Sequence, residues 1–401
     1  MALDLIWQPE LDERERQARD LARQLTADHF EPLAADLDAE QRYPWESVKR
    51  LVESGLVGAF VPGEYGGQDL SLVGMCAVME EIAQGCASTC AILNAIALGS
   101  YPLLLEGTAE QKKRYLTELT GPGNALAFAL TERGAGSDAS SLTTVAEPVN
   151  DGFHLRGEKI FIGNGGAARY YIVFARTSPA GTRGISAFIV DREAPGVDIT
   201  RYEDKMGIRG TLTSNLVLDT VVPKDALVGE LNRGYRLALR TLNVGRITVA
   251  AQCTGIAAAA YREAAGRATT REQFGTLLID HQGIGFRLAD ALMELSAARL
   301  LMYQAAQVFD RGGDASLLGA KAKLYASEVS HRVVDTAVQV FGGLGYCKPT
   351  AVERYYRDQR ITEIYEGTSE IQRLVLARAI KSSVERSHVA EDAARVTVTV
   401  P

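Results

Sequence analysis

The feature that most limits how this chain folds is a block of short β-type runs held between two long helical stretches. Residues Ala125–Thr131, His154–Ile162, Tyr170–Arg176, Ile185–Val190 and Ser214–Val222 read as strands, separated by turn sequences such as Asn150-Asp151-Gly152 and Pro179-Ala180-Gly181. Before the block, Ala18, Leu21, Ala22 and Leu25 recur at helical spacing within Leu11–Phe30, and helical patterns continue through Trp45–Ser54 and Val73–Leu105. After it, Ile284, Leu288, Leu292 and Leu295 share one helical face, as do Val329, Val333 and Val340. The expected fold is therefore α+β and mostly α. It has a helical domain over 1–124, a small antiparallel sheet domain over 125–233, and a bundle of about four helices over 234–381. The polar tail, 382–401, is expected to lack order.

Composition removes several functions. Against 43 Lys and Arg stand 50 Asp and Glu, a net charge of -7 with no basic cluster, so nucleic acid is not an expected partner. No apolar run reaches the roughly 18 residues of a membrane span, and the N-terminus carries no leader-like pattern. The five cysteines are odd in number and scattered, which fits a reducing compartment; a bacterial cytoplasm or a mature organellar chain is expected. Cys86 and Cys90 have no second Cys or His pair at zinc spacing, and no metal is expected.

Three segments carry chemistry. In Ala129-Leu130-Thr131-Glu132-Arg133-Gly134-Ala135-Gly136-Ser137-Asp138 a strand ends in glycines that admit a ligand close to the backbone and in hydroxyls that bind its polar atoms. The plainer reading is a polar loop capped by Asp138. Gly163-Asn164-Gly165-Gly166-Ala167-Ala168 imitates a dinucleotide fingerprint, but the strand Tyr170–Phe174 follows where that fingerprint needs a helix, so by itself it reads as a hairpin turn. In the third, Gln339-Val340-Phe341-Gly342-Gly343-Leu344-Gly345-Tyr346 precedes Ile364-Tyr365-Glu366-Gly367-Thr368-Ser369. Its glycines suit a helix C-cap or a backbone laid against a flat or phosphorylated ligand. Glu366, among apolar neighbours, suits a base acting on a carbon acid; the alternative is an ordinary helix-start carboxylate.

Together, in this order and at these separations, the three segments resemble the acyl-CoA dehydrogenase flavoprotein family, over nearly the whole chain to about Lys381. The resemblance implies an N-terminal helical domain, a middle β-barrel-like domain and a C-terminal four-helix bundle. It also implies FAD as cofactor, assembly as a homo-oligomer (dimer or tetramer), and electron-transferring flavoprotein as acceptor. Glu366 then matches the base that removes the α-proton of an acyl thioester while the β-hydrogen leaves as hydride to flavin N5. The base's alternative location in isovaleryl-type members falls on Gly245, which has no side chain to serve.

Cofactor contacts are implied for Leu130, Thr131, Gly136, Ser137, Phe161, Gly163, Thr368 and Ser369 on the flavin side. Arg271, Phe274, Gln282, Gln339, Val340, Phe341, Gly342 and Gly343 match contacts to the adenosine-diphosphate half, Arg271 reaching the pyrophosphate across a dimer interface. Substrate contacts are implied for Ser137, Asn243, Arg246, Tyr365 and Gly367. Departures are also present. Phe161-Ile162-Gly163 replaces the usual Trp-Ile-Thr, Asn243 and Arg246 stand where Asp-x-x-Arg is common, Pro349 interrupts the second signature and Arg133 replaces a common proline. These changes direct attention to an acyl carrier protein as well as CoA as the carrier of the acyl group. The lost threonine at Gly163 is the one feature favouring a flavin monooxygenase or oxidase on the same fold.

Overall fold

The computed structural model describes residues 5–121 and 125–397, with the backbone alone over 387–397. Helices come first: α1 (Glu13–Leu25), α2 (Glu31–Glu40), α3 (Trp45–Glu53), α4 (Leu72–Gly85), α5 (Ala87–Glu106), and the short α6 (Ala109–Gln111) and α7 (Thr117–Leu119). Asp12 starts α1 through a capping box with Glu15, which satisfies two backbone donors reciprocally. The helical run expected through Val73–Leu105 is two helices, because Cys86 leaves the helical region and its sulfur caps α5 by accepting from Thr89 N. Among the described residues α5 alone is long and apolar enough to cross a membrane, and it is mostly buried inside the protein. Position 124, the expected end of this helical part, lies outside the described residues.

Eight strands follow: β1 (Leu126–Ala129), β2 (Val145–Val149), β3 (Gly152–Gly163), β4 (Tyr170–Arg176), β5 (Ile185–Asp191), β6 (Val197–Tyr202), β7 (Thr213–Pro223) and β8 (Leu227–Val228). Their order is β6-β7-β3-β2-β4-β5-β8, with β1 added against β4. The expectation of an antiparallel sheet is corrected here: β1 and β2 both run parallel to β4. Periodicity reports which face a residue takes, not the direction of the neighbouring strand. A second correction concerns Gly163–Ala168. It is a turn but not a hairpin, since β2 lies between β3 and β4.

Alternate residues of six strands enclose one core, including Ala127, Leu155, Tyr171, Val173, Phe188, Leu216 and Leu218. The opposite face of β4, with Tyr170, Ile172 and Phe174, joins the main helical core. β4 is thus buried on both faces, which explains why its sequence is a continuous apolar run.

The third part opens with α8 (Gly234–Ala268), a 35-residue helix some 50 Å long. A two-strand hairpin, β9 (Glu272–Gln273) and β10 (Thr276–Leu277), leads to α9 (Gln282–Asp310), α10 (Ser316–Phe341), α11 (Ala351–Gln359) and α12 (Ser369–Thr397). α8, α9 and α10 pack against one another with α12 on α10, and α4 and α5 pack on α8. Buried Glu80 of α4 locks this junction. It accepts from Arg299 Nε (2.8 Å) and Nη2 (3.0 Å), Tyr303 OH (2.5 Å) and Thr254 Oγ1 (2.7 Å).

The expected loss of order after Lys381 is corrected over 382–397, which continue α12. That stretch holds no proline or glycine, so an established helix propagates through it. Residues 398–401 lie outside the described residues.

Candidate active site

The centre of the site is Glu366, in the turn between α11 and α12. Its carboxylate is held by one side: Asn94 of α5 donates from Nδ2 to Oε1 at 3.1 Å. Asn94 is itself oriented by Thr248 of α8, whose hydroxyl donates to Oδ1 at 2.6 Å. The other oxygen, Oε2, is buried with no hydrogen-bond partner. A Cβ placed on Gly245 of α8 would stand 1.9 Å from Oε2 and 2.9 Å from Leu98 Cδ1, so the carboxylate occupies the space a side chain there would need. Burial pushes the Glu366 pKa up to about 7, against the opposing effects of the Asn94 hydrogen bond and the Lys323 and Arg246 charges. A carboxylate with one tethered oxygen, one free oxygen and a pKa near neutrality is chemically suited to take a proton.

Two of the segments expected on the flavin side join each other through β3, whose turn rests on the helix that carries Asn94. Ile160 N donates to Thr131 O at 2.9 Å, joining the loop after β1 to β3. Beneath this loop the Lys159 ammonium, fully buried, donates to Leu130 O (3.1 Å) and to Glu132 Oε1 (2.8 Å). Burial acts to raise the Glu132 pKa, but Lys159 and the donors of Thr143 and Thr144 outweigh it and hold the carboxyl down to about 2. A register shift in β3 between Lys159 and Ile162 turns Phe161 outward at φ 57, leaving its ring 60% exposed. A Cβ on Gly163 would touch Ala95 of α5 at 3.5 Å, and Asn164 Nδ2 donates to Ile92 O at 3.0 Å. Helix α5 therefore carries the β3 turn on Ile92 and Ala95 and the Glu366 carboxylate on Asn94.

Of the expected substrate contacts, Arg246 is buried with Nη1 donating to Asn243 Oδ1 (2.9 Å) and Nε unpaired. Burial lowers its pKa. The Tyr365 hydroxyl is already committed to Gln252 Oε1 at 2.5 Å, so this residue can offer a ligand its ring or backbone but not a free hydroxyl. Thr368 caps α12 by accepting from Ile371 N, and Ser369 Oγ is buried without a partner.

A second group of expected residues comes together elsewhere. Arg271 and Phe274 lie on the β9–β10 hairpin, Gln282 begins α9, and the Gln339–Gly343 run closes α10; the Arg267 guanidinium, 5.4 Å from the Phe341 ring centroid, joins the ends of α8 and α10. Apart from Val340, which is buried in the helical core, this group lies at the surface: Phe274 is 97% exposed, and a Cβ on Gly342 or Gly343 would meet nothing within 4 Å. Gly134 and Gly136, in the first group, are equally open. Together with the unpartnered Ser369 hydroxyl and the outward Phe161 ring, the open loop fits a planar cofactor with polar edges.

Three residues of the site escaped the motif search: Asn94, Lys323 and Gln372. Asn94 interrupts the apolar run Ala91-Ile92-Leu93-Asn94-Ala95-Ile96, and Lys323 falls on the same helical face as Gly319, Ala326 and Ser330. A lone polar residue at a core position was the available signal.

A half-tethered buried carboxylate and an open glycine-bearing loop, on helices packed against a small sheet, suit an oxidoreductase of CH–CH bonds. The chain matches the acyl-CoA dehydrogenase N-terminal domain over residues 12–121, the middle domain over 127–221 and the C-terminal domain over 232–381. It is 43% identical over 373 residues to the mitochondrial short-chain specific acyl-CoA dehydrogenase of Bos taurus, covering 92% of this chain and 90% of the relative. Butyryl-CoA dehydrogenase from Megasphaera elsdenii superposes with a TM-score of 0.91 at 39% identity, covering 93% of this chain and 100% of that one. A chain in a structure described for the electron transferring flavoprotein of Acidaminococcus fermentans superposes with a TM-score of 0.91 at 38% identity, covering 93% and 99%. The protein belongs to the acyl-CoA dehydrogenase family, and its cofactor is FAD.

Proposed function

We propose that the protein introduces an α,β double bond into an acyl thioester, with Glu366 as the base. The observation that carries this reading is the free, buried Oε2 of Glu366, at a pKa near 7. Oε2 takes the α-proton while Asn94 keeps Oε1 in place, so the carboxyl does not rotate as it becomes neutral. Bound FAD would supply the acceptor for the β-hydride, so the Cα–H bond breaks to give a proton, the Cβ–H bond breaks to give a hydride, and one C=C bond forms. Leu130, Thr131, Gly136, Ser137, Phe161, Gly163, Thr368 and Ser369 hold the flavin end. Ser137, Asn243, Arg246, Tyr365 and Gly367 border the thioester. Arg271, Phe274, Gln282 and Gln339–Gly343 serve the adenosine-diphosphate end of a cofactor bound by a second copy, which the outward exposure of Phe274 supports. The working protein is then a homo-oligomer whose FAD content depends on assembly. Electron-transferring flavoprotein is its acceptor, and the cytoplasm its compartment.

The test is anaerobic addition of acyl-CoAs of graded length, beside matched acyl carrier proteins, to the FAD-loaded protein. Bleaching of the flavin with an enoyl product supports the reading and ranks the carriers, and Glu366→Gln abolishes it while keeping bound FAD. Flavin that no thioester bleaches, with oxygen uptake and no enoyl product, refutes it in favour of an oxidase.

A further inference from the structure

Glu366 stands at φ 52 and Gly367 at φ 97. A left-handed backbone is unfavourable for a residue with a side chain, so the surrounding structure must impose it. The Gly367 carbonyl shows how. Lys323 Nζ donates to it at 2.8 Å, and Gln372 Nε2 donates to the same oxygen at 2.8 Å. Both side chains are 0% exposed. They arrive from different elements, Lys323 from the middle of α10 and Gln372 from the first turn of α12. Gln372 Oε1 has no partner, so its amide is oriented by what it donates to. The Lys323 ammonium is likewise spent on a neutral carbonyl rather than a carboxylate.

We propose that Lys323 and Gln372 are positioning residues for the base: two buried donors that pin the Gly367 carbonyl and so hold Glu366 in the left-handed conformation that sets its carboxylate beside Gly245 and Asn94. The proposal rests on the reading of Glu366 as the base. The two donors differ in one respect. Lys323 also brings a positive charge, so it favours the ionised form of the base, whereas Gln372 contributes geometry alone. The charged and titratable groups around the pair are Arg246 and Cys253 of α8, Glu363 and Tyr365 of the turn before α12, Glu370 of α12, and Glu366 itself, with the neutral Asn94 from α5. Burial lowers the Lys323 pKa to about 8, so its charge is present through neutral pH.

The test uses the FAD-loaded protein with Lys323→Met and Gln372→Met. The first readout is an infrared titration of the Glu366 carboxyl band, assigned by its loss in Glu366→Gln. The second is α-proton removal from 3-thiabutyryl-CoA, a thioester with sulfur in place of its β-carbon and therefore no β-hydride to lose. Lys323→Met is expected to move the carboxyl midpoint up by about one unit, a tenfold change in the ratio of acid to carboxylate. It also slows proton removal at least about tenfold with Kd changed less than about threefold, as expected for a misplaced group. Gln372→Met is expected to slow proton removal about tenfold with the midpoint unmoved. Wild-type rate and midpoint in either variant overturn the proposal. Should Lys323→Met fail to fold, Gln372→Met decides alone. Should no acyl-CoA bleach the wild-type flavin, the functional reading fails, while a crystal structure of Gln372→Met still judges the clamp: Glu366 released from its left-handed conformation supports it, and Glu366 kept there overturns it.

Discussion

A carboxylate kept in a buried pocket weakens the fold that holds it, and the size of the effect follows from the Glu366 pKa. Burial raises that pKa from 4.5 to about 7. The unfolded chain therefore gives up the proton more readily than the folded one, and the folded state loses stability as pH rises from about 4.5 to about 7 and stays at that level above. The full shift corresponds to about 3 kcal/mol. Glu366→Gln removes the charge while keeping the Asn94 contact, because the glutamine carbonyl accepts the same hydrogen bond. The variant is expected to be more stable than the wild type by about 1 kcal/mol near pH 5, about 2 near pH 6 and about 3 above pH 7.5. Urea denaturation of both proteins at equal concentration and saturating FAD, repeated across that pH range, measures the difference. A gap that does not widen between about pH 5 and pH 7 refutes the account of a desolvated carboxylate.

Two further outcomes test other parts of the structure. Glu80→Ala leaves the buried Arg299 without its carboxylate, and equilibrium denaturation is expected to show a loss of about 3–5 kcal/mol. Gly245→Ala forces a methyl group into the position of Glu366 Oε2, and stopped-flow flavin bleaching by the best acyl-CoA is expected to fall about 100-fold with FAD retained.

The sequence made the three-part order of helices, strands and helices readable because apolar periodicity changes from 3.6 to 2 near Ala125 and back near Gly234. It also singled out Glu366, since a carboxylate among apolar neighbours is rare enough to notice. β2 was missed because Pro148 argues against a strand, yet Pro148 sits opposite Phe153 in the ladder. The parallel pairing of β1 with β4 had no local signal at all, because it depends on where the chain returns after β2 and β3. Asn94, Lys323 and Gln372 escaped for a different reason. Asn94 meets Glu366 across 272 positions and Lys323 meets the Gly367 carbonyl across 44, while Gln372, only six positions beyond Glu366, reads as an ordinary first-turn helix residue; only folding shows which core polar residue meets which partner.

The double burial of β4 bears on how this protein can be recombined with its relatives. Tyr171 and Val173 belong to the strands' own core, while Tyr170, Ile172 and Phe174 belong to the core of the helices. The sheet is therefore not a cassette that can be lifted out. Excised, it would present a stripe of aromatic and branched residues to water and invite self-association. A chimera that exchanges residues 125–228 between relatives will fold only when the helical surfaces of α5 and α8 that meet this stripe are exchanged with it.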